Sequence, residues 1–184
     1  SGQSNVLVKA EAMGLPLAKG SPDVQKILAE VKRLESEGFE FEAADASFEL
    51  LIRRELGTYA PFFDLHEYHC SYRCDGKHGW ESCIATVKLA VDGESLYTVS
   101  EGDGPVNALD GALRKALAGA YPQLAGMMLT DYKVRIIDSQ AGTGAKTRVL
   151  IESSDSCGSW GTVGVSENII EASWIALVDG IDLF

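Results

Sequence analysis

Ser100-Glu101-Gly102-Asp103-Gly104-Pro105-Val106-Asn107-Ala108 is the stretch whose reading decides the fold. It joins a β-like run to an amphipathic helix through two glycines and a proline. About sixty residues on, Gly161-Thr162-Val163-Gly164-Val165-Ser166-Glu167-Asn168-Ile169 makes the same strand-to-helix passage. Such a passage leaves backbone N–H groups unpaired at a helix N-terminus, where the macrodipole favours a carboxylate or a phosphate. Two copies point to a duplicated domain with paired sites. Both stretches also read as tight turns with good helix caps.

Upstream of the first junction the pattern is that of strands. From Phe62 onward Phe63, Leu65, Glu67 and His69 fall on one side, and His66, Tyr68, Cys70 and Tyr72 on the other. Asp75-Gly76-Lys77-His78-Gly79 is a turn, and Trp80 to Ala90 is a strand with Cys83, Ala85, Val87 and Leu89 facing one way. Asp92-Gly93 is a hairpin signal ahead of a third strand, Ser95 to Ser100. The helix after the junction carries Leu109, Ala112, Leu113, Ala116 and Leu117 on one face, with Pro105 at its start and Pro122 beyond its end.

Downstream the order repeats. Met127 to Asp138 reads as a strand, Ala141 to Gly144 as a turn, Lys146 to Ser153 as a strand, and Asp155 to Gly158 as a turn. Ser159 to Val165 is the last strand, before a helix carrying Ile169, Ile170, Ser173, Ala176 and Leu177. Ahead of all this lie three helices. One runs from Asn5 to Met13; a second is capped by Ser21 with Pro22 and Asp23 behind it and ends near Gly38; a third runs from Glu42 to Leu56. The expected fold is therefore α+β: a helical arm followed by a duplicated β-β-β-α domain with pseudo-twofold symmetry. The expected division is 1–60 for the arm and 61–184 for the duplicated domain, with 61–123 and 124–184 as its halves. The arm lacks a complete core of its own and must pack on something else. Sheet faces left uncovered invite a second copy, which predicts a homodimer.

With 184 residues, 46% of them hydrophobic and 23% charged, the chain is long enough to bury a full core. A formal charge of −11 excludes a nucleic-acid or anionic-membrane footprint. No run approaches the roughly 18 apolar residues of a membrane span, and a cytoplasmic address is expected. Cys70, Cys74, Cys83 and Cys157 form no CxxC pair and are expected as reduced thiols. The chain begins at Ser1 without a methionine, which suggests a piece of something longer.

Chemistry is sparse. His66, His69, Cys70 and Cys74, with His78 and Cys83 nearby, suggest zinc, but His69 and Cys70 point to opposite faces of a strand and Cys70 lies about 13 Å of extended chain from Cys74. No metal is expected. A Cys–His nucleophilic pair has nothing in its favour, and Gly102-Asp103-Gly104 lacks the third glycine of a dinucleotide fingerprint. No catalytic residue and no cofactor are assigned. What the first junction offers is a site for a small zwitterion: N–H groups over Gly104 to Asn107 for a carboxylate, Asn107, Asp103 or Asp131 for an ammonium, and Val106, Leu129 and Ile136 for an apolar side chain.

Gly102-Asp103-Gly104-Pro105-Val106-Asn107-Ala108 resembles the Gly-x-Gly-Pro-hydrophobic-x-Ala motif in the C-terminal part of the α-isopropylmalate synthase and citramalate synthase family. Gly164-Val165-Ser166-Glu167-Asn168-Ile169-Ile170-Glu171-Ala172-Ser173 resembles the family's second motif, in wording nearest the citramalate branch. The resemblance implies that a catalytic barrel using a divalent metal and acetyl-CoA lies outside this chain, that residues 1–60 are a linker subdomain, and that the rest is an allosteric dimer domain binding an end-product amino acid. Isoleucine is the expected effector; leucine, as for isopropylmalate synthases, and a purely structural dimerisation module are the alternatives. By position the resemblance implies an effector pocket of Gly102, Gly104, Val106, Asn107, Leu129, Asp131, Tyr132 and Ile136, closed by Val149, Glu167 and Ile169. Glu167 departs from the family pattern, and a carboxylate there repels an effector carboxylate unless it turns away.

Overall fold

A computed structural model of the protein describes residues 2–138, 142 and 144–184, so the turn expected over 141–144 lies partly outside the described residues. In chain order the elements are α1 (Gln3–Ala12), α2 (Pro22–Glu37), α3 (Asp45–Glu55), β1 (Asp64–Asp75), β2 (Trp80–Val91), β3 (Glu94–Gly102) and α4 (Pro105–Leu117). A short 3-10 turn over Pro122–Gly126 leads to β4 (Met128–Ile136), β5 (Thr147–Ser154), β6 (Ser159–Ser166) and α5 (Ile169–Leu183). The strands form two three-stranded sheets, β1-β2-β3 and β4-β5-β6, giving the expected β-β-β-α twice behind a helical arm. The chain divides into two compact units. One holds Pro61–Leu129 with Ser154–Gly158; the other holds the chain up to Ala60, Thr130–Ser153 and Ser159–Leu183.

In the first unit the sequence pattern translates directly into an antiparallel sheet backed by one helix. Asp92 and Gly93 both take positive φ, 50° and 81°, the geometry that lets a two-residue turn follow the right-handed twist of its strands. Cys83, Ala85, Val87 and Leu89 of β2 are buried, and Leu109, Ala112, Leu113 and Leu117 of α4 are wholly so. Each buried leucine contributes roughly 1.5–3 kcal/mol. One detail departs from simple alternation. Leu65 pairs with Leu89 and Glu67 with Lys88, which leaves His66 as the extra residue of a β-bulge. The bulge reverses the phase, so Leu65 shares its face with Tyr68, Cys70 and Tyr72, the partners of Val87, Ala85 and Cys83, rather than with Glu67 and His69.

In the second unit the arm finds the core it lacks. Ser21 Oγ accepts from the Val24 N–H at 3.4 Å, Pro22 opens α2 and Gly38 closes it at φ 109°. Val6, Ala10, Ile27, Val31, Phe41, Phe48 and Ile52 form one cluster with Val163 and Val165 of β6. α3 starts at Asp45, three residues later than expected, because Phe41 and Ala44 are drawn into that cluster; the Phe41 ring meets Phe48 edge-on at 5.7 Å. The other residues of β6 turn towards α5: Thr162 Oγ1 donates to the Ala176 carbonyl at 2.7 Å. β6 is thus buried on both faces, whereas β4 is exposed from Thr130 to Ile136. The apolar stripe of α5 begins one turn later than expected, since Ile169 is exposed and burial starts at Ala172.

α3 and α5 are joined by a polar network. Ser47 Oγ donates to Asp179 Oδ2 at 2.8 Å and accepts from the Val163 N–H at 3.0 Å. Arg54 donates to Asp179 Oδ1 at 2.9 Å, and the Tyr59 hydroxyl donates to Asp182. Burial pushes both aspartates above the ordinary carboxylate range, against the pull of Arg54.

Candidate functional site

The two junctions are built on one scheme. Thr98 Oγ1 of β3 donates to the Ala112 carbonyl of α4 at 2.7 Å, as Thr162 Oγ1 of β6 does to Ala176 of α5, each across 14 residues. Laying one pair over the other sets Ser100 on Gly164, Gly111 on Ile175, Gly104 on Asn168 and Asn107 on Glu171. Strand and helix approach closely, and one member of each crossing pair is glycine. In the first unit it is on the helix, where a Cβ at Gly111 would run into Ser100 Oγ; in the second it is on the strand, where a Cβ at Gly164 would run into the Ala172 carbonyl and lie 3.0 Å from Ile175 Cβ.

The helix starts differ. At the second junction Asn168 Oδ1 accepts from the N–H groups of Ile170, at 2.8 Å, and Glu171, at 3.4 Å, while Glu171 accepts from Ser166 Oγ at 2.7 Å. Asn168 thus caps the helix and satisfies donors of its first turn, while Ser166 Oγ takes the Asn168 N–H at 3.0 Å. At the first junction Gly104 has no side chain to cap with, and Pro105 has no N–H to offer. The donors at this end of α4 are therefore those of Val106 and Asn107. Asn107 Oδ1 accepts from the Asp103 N–H at 3.2 Å and holds the loop closed on itself. Gly102 is required by the same closeness, because a Cβ there would meet Asn107 Oδ1 at 2.6 Å and Ala108 Cα at 2.8 Å.

Beside this junction is a hollow of about 350 Å³ lined by Glu81, Ser82, Cys83, Glu101, Gly102, Asp103 and Asn107. Three carboxylates give it an environment suited to an ammonium group, next to uncapped N–H groups suited to a carboxylate. Val106 and Leu129 of this unit are half-buried. The remaining residues of the expected pocket belong to the other unit. There the Tyr132 hydroxyl lies 2.9 Å from Ser173 Oγ, which donates to the Ile169 carbonyl at 2.7 Å, so Tyr132 and Ile169 come together at the start of α5. Asp131, Ile136 and Glu167 are exposed, and Val149 is wholly buried in β5.

The thiol and histidine cluster comes apart. Cys70 Sγ lies 3.9 Å from Cys83 Sγ and 3.8 Å from the Pro105 carbonyl, while His66, His69 and His78 are exposed. Burial and the Cys83 thiol push the Cys70 thiol up to about 11, away from the thiolate a nucleophile needs. Among the described residues no group of three or more His, Cys, Asp or Glu is arranged to hold a metal, and no helix is long and apolar enough to cross a membrane.

The profile of the LeuA allosteric (dimerisation) domain matches residues 42–184. The chain belongs to this family. Over 99% of its length it is 51% identical to the (R)-citramalate synthase of Synechocystis, and over 98% it is 50% identical to that of Aquifex aeolicus, in each case covering 34% of the relative. The 2-isopropylmalate synthase of Aquifex aeolicus is 37% identical over 53% of this chain and 17% of its own length. The chain thus spans about a third of the length of the citramalate synthases it matches.

Three features of this LeuA allosteric domain escaped the sequence reading. The Asn168 cap was legible, since asparagine is a favoured capping residue directly ahead of an apolar helical run. The paired threonines were legible as the same residue recurring in two aligned strands. Glu81 and Ser82 reach the junction through the register that pairs Cys83 with Gly102, which the sequence does not specify.

Proposed function

We propose that this chain is the regulatory end of an acyl-CoA condensing enzyme of the citramalate synthase type, joining acetyl-CoA to pyruvate in isoleucine biosynthesis, and that it binds isoleucine for feedback inhibition. The observation that carries this reading is identity of 45–51% with (R)-citramalate synthases over 98–99% of the chain, against 37% over 53% for a 2-isopropylmalate synthase. Residues 1–60 serve as the linker subdomain and 61–184 as the dimerisation domain. The metal and acetyl-CoA belong to a barrel outside the chain, in a cytoplasmic enzyme. Within the first unit the effector carboxylate takes the N–H groups of Val106 and Asn107, its ammonium faces the acidic hollow, and Gly102 and Gly104 keep the approach open beside Leu129. Asp131, Tyr132, Ile136, Glu167 and Ile169, with Val149 behind them, are the corresponding set in the other unit. Exposed Tyr97 and Val99, and Tyr132, Val134 and Ile136, support a homodimer.

A second reading, a structural dimerisation module without effector, is favoured by the self-satisfied Asn107 and Asn168. Calorimetry with isoleucine, leucine and valine separates them. Isoleucine binding tightest supports the proposal, tighter leucine moves the parent to the isopropylmalate branch, and a dimer by sedimentation with no heat from any of the three leaves the structural module. Inhibition requires the effector to prefer one of two states by about 1–3 kcal/mol.

A further inference from the structure

We propose that a cleft between α2, α3 and α5 binds a small molecule carrying a primary ammonium on a short branched aliphatic body. The cleft shares no residue with the helix start at either junction and has a volume of about 190 Å³. At roughly 30 Å³ per water molecule this is room for about six, so a small ligand of about six to nine heavy atoms fills it. Leu34, Phe39, Phe41, Leu51 and Ile175 make its walls apolar.

The polar groups decide the charge of the occupant. Asp179, only 6% exposed, lines the cleft and is held by Ser47 and Arg54. Glu30 at the rim is engaged twice by Arg33, at 2.6 and 2.9 Å. Glu55 also lines the cleft and, among the described residues, has no partner. Once the two ion pairs are set aside, one carboxylate remains over an apolar lining. An anion is repelled by it and a neutral apolar molecule leaves it unpaired, whereas one ammonium on an aliphatic body satisfies both halves of the cleft. Two sources share that chemistry: an aliphatic amine, and a free branched-chain amino acid whose carboxylate reaches the remaining donors of Arg54.

Titration of the 184-residue chain with 3-methylbutan-1-amine and with leucine, followed by NMR shifts of Leu34, Phe39 and Leu51, tests this. The amine or leucine is expected to move these signals, and Glu55→Gln is expected to weaken binding at least fivefold. Leu34→Trp, which plugs the cleft, is expected to abolish it. Leucine binding that Arg54→Gln weakens, with amine binding unchanged, assigns the amino-acid source; amine binding alone assigns the other. Gly104→Asn, at the first junction, leaves the affinity within twofold, which keeps this site distinguishable from the effector site. Absence of any shift with either probe, or shifts insensitive to Glu55→Gln, overturns the proposal.

Discussion

The two strand-to-helix junctions share a packing scheme and differ at the helix start. Both hold the helix by a threonine-to-carbonyl bond and both place one glycine at the crossing, on α4 in one unit and on β6 in the other. Yet the second junction seals its own donors with Asn168, while the first leaves α4 without a side-chain cap. Close packing fixes the distance between strand and helix and leaves the first helical turn free to diverge. Ligand chemistry is consequently available at one end of the duplication and absorbed into local structure at the other.

The comparison is broken most severely at Gly164. Gly164→Ala drives a methyl group into the Ala172 backbone and is expected to cost more than about 3 kcal/mol in urea unfolding, or to prevent folding. Gly111→Ala meets the Ser100 hydroxyl, which can rotate away, and Ser100 Cβ at 3.1 Å, but no backbone, and it gains helix propensity, so its net cost is expected to be about 1 kcal/mol. Equal effects would refute the exchange of glycine between strand and helix.

Next in size is the Arg54 anchor of the second unit. Arg54→Ala leaves Asp179 and Asp182 buried without their cation, at an expected cost of about 2 kcal/mol, reduced from that of a fully buried pair because Arg54 is 42% exposed. Asn168→Ala removes the cap of α5 and is expected to cost about 1 kcal/mol. An effect of similar size is expected in pH. Asp179 and Asp182 have raised values, so the fold binds their protons more tightly than the unfolded chain, whose aspartates titrate near 3.9. Their contribution is fully present below about pH 4 and is lost as pH rises through the raised values. Asp182→Asn is expected to flatten that loss by up to about 1 kcal/mol, read from urea midpoints between pH 4 and 7. Glu30, lowered by Arg33, titrates in the opposite sense.

The fold was legible because the periodicity changes sharply at Phe62 and the glycine-proline junction recurs in order. The hairpin at Asp92-Gly93, the cap at Ser21 and the buried stripe of α4 follow from local chemistry alone. The bulge at His66 was not legible, since an extra residue is visible only in the pairing of Leu65 and Glu67 with the neighbouring strand. Nor was the late start of α3, which tertiary burial of Phe41 and Ala44 imposes against a continuous helical pattern. At the site, Gly102, Gly104 and Asn107 were found by motif. The engagement of Asn107 with Asp103 was not, because a side chain that serves its own loop and one that awaits a ligand look the same in sequence.

Gly104→Asn tests the central claim most directly, because it gives the first junction the cap that the second already has. A stability gain of about 0.5 kcal/mol in urea unfolding is expected, with isoleucine binding, measured by calorimetry on the same protein, at least fivefold weaker than in the unsubstituted chain. Unchanged isoleucine affinity in the stabilised variant, or no isoleucine binding in the unsubstituted chain, would contradict a carboxylate site at the start of α4.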